Sequence, residues 1–199
     1  MSRKSDDTRK KILHAAWKLL EDKAGSGVRM SDIAKATGIS RQAVYLHFPT
    51  RAELLIATTR YLDVVNNVDE RLVASRNAST GRERLSAFID AWGNYIPDIH
   101  SVAKALLAMQ DTDDAARLAW RDRMQAVRHG CEAAVKALKR DGALTSAYTV
   151  KEATDILWAL LSIETWERLT GECGWSQRRY VAKMQALPSS VLVDAPSSS

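Results

Sequence analysis

Apolar residues recur three and four positions apart along almost the whole chain, and no window of six or more residues alternates apolar with polar as a half-buried strand does. A chain patterned in this way must bury helix faces against one another, so the expected fold class is all-α, with about nine helices. The first helix is expected from about Asp7 to Asp22, with Ile12, Ala16, Leu19 and Leu20 on one face and Gly25-Ser26-Gly27 ending it. Short helices follow over Ser31 to Thr37 and Arg41 to His47, separated by the turn Gly38-Ile39-Ser40, and Pro49 forces a break. A long fourth helix starts at Thr50. Its stripe of Leu54, Thr58, Tyr61, Leu62, Val65 and Leu72 persists until Ser75. Further stripes run over Leu85 to Ile96, Val102 to Met109, Trp120 to Leu138, Val150 to Thr170 and Ser176 to Leu187, with Pro97 dividing the first two. This pattern divides the chain into a three-helix head over 1–52, a larger helical domain over 53–187 and a disordered tail over 188–199.

Charge is unevenly placed. Residues 1–51 hold 11 lysines and arginines against 5 acids, whereas residues 52–199 hold 18 against 19. The excess positive charge therefore lies in the first quarter, where it attracts polyanions and releases counterions from phosphate. A solvated basic face is the competing reading of charge alone. No stretch approaches the roughly 18 consecutive apolar residues of a membrane helix, so no membrane partner is expected. The polar start Met1 to Asp7 lacks the apolar run of a secretory signal, which points to the cytoplasm. Cys131 and Cys173 fit neither a disulfide framework nor a CxxC metal knuckle.

The segment Ser31 to Phe48 meets the steric needs of a helix-turn-helix. Ala34 is small where the second helix crosses the third, and Gly38 can take the left-handed conformation of a tight turn. Ile33, Ile39 and Val44 pin the two helices from inside, and Ser40 is placed to cap the third, whose N-terminal amides would face phosphate. That helix exposes Arg41, Gln42, Tyr45 and His47. Gln42 suits adenine N6 and N7, and Arg41 suits guanine or a phosphate. Tyr45, His47 and Arg51 suit backbone contacts, although Tyr45 also reads as a staple to neighbouring helices and Gln42 as a solvated side chain.

Ile33-Ala34 to Gly38-Ile39-Ser40, followed by Val44-Tyr45-Leu46-His47-Phe48-Pro49-Thr50-Arg51-Ala52-Glu53-Leu54-Leu55, resembles the TetR family of repressors. The resemblance covers about residues 8–55; beyond them only helix number and length agree. It implies DNA contact by Arg41, Gln42, Ala43, Tyr45 and His47, phosphate contact by Ser40 and Arg51, and a homodimer with one recognition helix per half-site of a near-palindromic operator. Two positions depart from the family pattern. Arg29 stands where a capping Thr is common, so Ser31 is expected to supply the cap and Arg29 the phosphate charge. Ala43 replaces a frequent Thr and leaves only apolar contact, such as with a thymine methyl.

In similar proteins the C-terminal helices enclose a small-molecule effector. Here Trp92, Tyr95, Met109, Trp120, Met124, Trp158 and Trp166 read either as plain core or as the lining of a cavity for a lipophilic or aromatic molecule. Leu157, Leu160, Leu161, Tyr180, Val181 and Met184, together with Trp166, read either as monomer core or as a four-helix dimer seam. An enzyme would need chemistry the sequence does not display. There is no Walker loop, GxGxxG, HExxH or GxSxG; His129 and Cys131 are a bare pair; and the acids at Asp111, Asp113 and Asp114 suit a helix start. No catalytic residue, cofactor or metal is expected. The reading is a ligand-responsive transcription regulator, a repressor released from its operator; the alternatives are a helical interaction module or an enzyme without a recognisable motif.

Overall fold

The computed structural model describes residues 3–22 and 28–194. The expected stop at Gly25-Ser26-Gly27 lies outside the described residues. Eleven α-helices are present among them: α1 Arg3–Asp22, α2 Met30–Thr37, α3 Arg41–His47, α4 Arg51–Val65, α5 Val68–Arg71, α6 Val73–Arg76, α7 Gly81–Met109, α8 Asp114–Arg140, α9 Val150–Leu160, α10 Ile163–Glu167 and α11 Gln177–Leu192. A π-helical turn, Arg168–Glu172, continues α10. There is no β-strand among the described residues, and an isolated antiparallel bridge joins Leu144 to Val193. Among the described residues no helix is long and apolar enough to cross a membrane.

The chain divides into two compact units whose boundaries do not follow a cut at 52/53. The first takes the described residues of Met1–Asn66 together with Ile99–Met124. Its core joins Ile12, Leu20, Ile33, Val44, Phe48, Leu54 and Leu62 to Leu106 and Ala116, all at most 2% exposed. Each large side chain buried in this way contributes roughly 1.5–3 kcal/mol, so the short α2 and α3 are held by packing more than by helix propensity. The second unit takes Asn67–Asp98 with the described residues from Gln125 on. Leu85, Ile89, Trp92, Leu138, Leu157, Leu161 and Tyr180 are buried in it. At its edge α7 begins so close to the end of α8 that a Cβ on Gly81 would stand 2.5 Å from the Leu138 amide nitrogen.

Four boundaries differ from the apolar pattern, each for a local reason. The fourth helix stops at Val65 and does not run to Ser75. Asn66 closes it, with Nδ2 donating to the Leu62 carbonyl at 3.0 Å, and Asn67 turns left-handed at φ 53°, a conformation Asn tolerates better than most residues. Pro97 does not divide α7. The Gly93 carbonyl, which has lost its helical donor to the proline ring, accepts from Gln177 Nε2 at 2.8 Å instead. The expected single helix over 150–170 breaks at Leu161, whose carbonyl accepts from Trp92 Nε1 at 2.8 Å, and Ser162 caps α10 by accepting from the Thr165 amide. The expected tail from Pro188 is ordered as far as it is described. Helix α11 carries Pro188 inside it to Leu192, and the Asp194 amide donates to the Ala143 carbonyl at 3.1 Å.

Candidate nucleic-acid interface

The interface is built within the first unit, where α2 packs on α3 and α1 packs on both α2 and α4. Gly38 ends α2 in the left-handed conformation at φ 68°, and its amide donates back to the Lys35 carbonyl. Ser40 caps α3, its hydroxyl accepting from the Ala43 amide at 3.1 Å. Val44 is fully buried, which fixes the rotation of α3 about its own axis and turns residues 41, 42, 45 and 46 outward.

Arg41, Gln42 and Tyr45 are all exposed, as expected from sequence. Arg41 donates from Nη2 to the Tyr45 hydroxyl at 3.3 Å and its guanidinium stands 5.5 Å from the Tyr45 ring centroid, so the two side chains orient one another one turn apart. Ala43 is half-buried. His47 is also half-buried; its side chain lines a groove of about 470 Å³ with Arg9, Leu13, Phe48, Ile56 and Tyr61. The C-terminal end of α3 is tied down there, because Arg9 Nη1 donates to the His47 carbonyl at 3.0 Å while its guanidinium lies 4.1 Å over the Phe48 ring. A cation at a helix C-terminus also complements the dipole.

Besides the half-buried His47, three residues are placed differently from the sequence expectation. Ser31 lies inside α2 and Arg29 takes the N-cap position, where the Asp32 carboxylate accepts from the Arg29 amide. Arg51 is held inward. Its Nε donates to the Val28 carbonyl at 2.5 Å and Nη1 to Asp113 Oδ1 at 2.6 Å. That same Asp113 oxygen accepts from the Ala115 and Ala116 amides, so it caps α8 as the acidic cluster suggested. The Arg51 hydrogen bond, together with those amides, holds the Asp113 carboxyl below the ordinary carboxylate value. Leu46, which the sequence reading passed over, is 81% exposed on the same outward arc as Arg41, Gln42 and Tyr45. Its signal was available in the spacing, since it lies four residues after Gln42 and opposite Val44 in rotation.

The seven aromatic and Met residues do not share one unit. Met109, Trp120 and Met124 belong to the first, and Trp92, Tyr95, Trp158 and Trp166 to the second. Trp92 and Tyr95 are buried and meet edge to face at 6.1 Å, while Trp166 donates to Gln177 Oε1. None of the seven lines the groove beside His47. Of the residues expected at a dimer seam, Leu157, Leu161, Tyr180, Val181 and Met184 are buried within the chain itself and Leu160 is half-buried. On α11 it is Leu187 and Val191, one turn apart, that face outward at 42% and 36% exposure. His129 is exposed and Cys131 buried, and among the described residues no three His, Cys, Asp or Glu side chains stand close enough to hold a metal ion.

Residues 12–58 match the family described as bacterial regulatory proteins, tetR family. The transcriptional regulator CymR of Pseudomonas putida is 31% identical over 113 residues, covering 56% of this chain and 55% of that one. The transcriptional regulator BetI of Rhizobium meliloti is 37% identical over 81 residues, 41% of this chain and 39% of its own. The chain thus matches only about half the length of these relatives. A crystal structure of a protein from Saccharomonospora viridis, in complex with choline, shares the fold with a TM-score of 0.73 at 21% identity, covering 96% of this chain and all of that one.

Proposed function

We propose, from the match of residues 12–58 to the family described as bacterial regulatory proteins, tetR family, that this chain is a DNA-binding transcription regulator. In this reading it acts in the cytoplasm as a repressor on a near-palindromic operator and is released by a small molecule. The observation that carries the reading is the outward arc of Arg41, Gln42 and Tyr45 on a helix fixed by the Gly38 turn, the Ser40 cap and the buried Val44. Arg41 and Gln42 reach base edges and Tyr45 a phosphate, with Ser40 and Arg29 at the flanking backbone. Arg51 acts here as a strut between the Val28 segment and the start of α8, not as a phosphate ligand.

The test is selection of bound duplexes from random DNA, followed by anisotropy titration at two salt concentrations with wild type and Arg41→Glu. A near-palindrome should be enriched, with affinity falling steeply as salt rises. Arg41→Glu should bind at least about tenfold more weakly while melting as wild type does. If no duplex is enriched, or the variant binds as well as wild type, the reading fails.

The effector is proposed to be a small lipophilic or aromatic molecule. The buried Trp92 and Tyr95 support this class; choline, the ligand of the Saccharomonospora viridis protein, is a hydrophilic quaternary ammonium outside it and is titrated beside it against tryptophan fluorescence, because aromatic rings also attract such cations. The functional unit is proposed to be a homodimer formed through the outer face of α11, where Leu187 and Val191 are exposed. Two heads would then reach half-sites about 34–36 Å apart, or a multiple of that.

A further inference from the structure

The outward arc of α3 holds three polar side chains and one aliphatic one. At about 100° per residue, Arg41, Tyr45, Gln42 and Leu46 follow one another around the helix within about 140°. Leu46 stands at the end next to Gln42. It is the most exposed large apolar residue described, at 81%, whereas Tyr45 beside it is 37% exposed and Val44 not at all. Isolated apolar residues on a surface are ordinary. This one stands among hydrogen-bond donors in the quarter of the chain that carries the excess positive charge, so the surface complementary to its neighbours is polyanionic. The floor of a DNA major groove offers one apolar group, the thymine C5-methyl.

We propose that Leu46 reads a thymine methyl in the major groove and so sets operator specificity beside the base pair read by Gln42. This rests on the DNA-binding reading above. Four residues separate the two side chains, a rise of about 6 Å, which spans at most about two base-pair steps. Ala43, the other apolar position on α3 that is not fully buried, is half-buried and carries a single methyl, so Leu46 presents the larger contact.

The experiment replaces thymines of the selected operator one at a time by deoxyuridine, which removes the methyl and leaves base pairing unchanged. Wild type and Leu46→Ala are titrated by anisotropy against each duplex, with thermal melting as the folding control. Wild type should bind about fourfold more weakly at one or two positions per half-site, the worth of one buried methyl. Leu46→Ala should bind the thymine duplex more weakly than wild type and not distinguish thymine from deoxyuridine there. Indifference of wild type to every replacement overturns the proposal and leaves the DNA-binding reading intact. So do an operator without thymine near the Gln42 step and a Leu46→Ala variant that keeps full sensitivity; the last would assign the methyl to Ala43. If wild type enriches no duplex, the DNA-binding reading fails and this inference falls with it.

Discussion

Arg51 and Asp113 show how a charged residue beside a binding surface can be structural. The guanidinium is three-quarters buried and donates to a backbone carbonyl and to a carboxylate that also caps α8. Truncating it leaves both acceptors without that donor, so Arg51→Ala should lower stability by about 1–3 kcal/mol in denaturant melts, with the lower end expected because both groups keep some solvent contact. The pH dependence has a fixed sign. Because the folded carboxyl of Asp113 is held below its ordinary value, its contribution is full above that value and disappears as pH falls through the lowered one. The stability gap between wild type and Asp113→Asn should be constant from neutral pH to about pH 5 and shrink in more acidic solution. A gap that widened on acidification would rule out the pair as its source. Tyr180 is the opposite case. Its hydroxyl is fully buried with no hydrogen-bond partner among the described residues, and burial pushes the phenol well above its ordinary range. Tyr180→Phe removes an unsatisfied polar group at nearly constant volume and should raise stability by about 1 kcal/mol. A loss on that substitution would mean that the hydroxyl has a partner, such as an enclosed water. Neither role was legible in the sequence, because an arginine after a helix start and a tyrosine on an apolar stripe look the same whether they face outward or inward.

At the scale of the element, legibility depended on whether a boundary was set within a few residues or by a distant partner. Gly38, Ser40 and the start of α4 just after Thr50 could be read because the turn, the cap and the following helix are local, and Thr50 does cap α4 by accepting from the Glu53 amide. The end of α4 was also local. Asn66-Asn67 is a C-terminal signal, which the apolar stripe continuing to Leu72 conceals. Pro97 could not be read correctly, since what keeps α7 continuous is Gln177, 84 residues from the carbonyl it serves. This arrangement predicts an energetic coupling. Gln177→Ala strands the Gly93 carbonyl only while residue 97 lacks an amide proton; with Pro97→Ala, the new amide can take that carbonyl back. In a double-mutant cycle Gln177→Ala should therefore cost about 1 kcal/mol less in the Pro97→Ala background than in wild type. The Gln177 bond to Trp166 is lost in both backgrounds and cancels. Additive costs would place the support of α7 elsewhere.

At the scale of the whole molecule, the proposed binding to paired half-sites needs two heads, and the apolar residues of α11 divide by face in a way that sequence spacing does not resolve. Tyr180, Val181 and Met184 are enclosed by the chain's own core, whereas Leu187 and Val191 stand one turn apart on the outside. A glutamate at an inner position would damage the monomer and say nothing about assembly. The informative variant is Leu187→Glu with Val191→Glu, since both side chains are already exposed and their replacement places no charge in the core. If a second copy covers this face, the double variant should sediment at about the monomer mass of 22.1 kDa, at a concentration where wild type sediments at twice that. It should retain its helical circular dichroism and lose binding to the full operator far more than to a single half-site, because tethered heads gain effective concentration and separate ones do not. If wild type and variant sediment alike as dimers, the interface lies on another face; if wild type is itself a monomer, the paired half-site geometry is excluded.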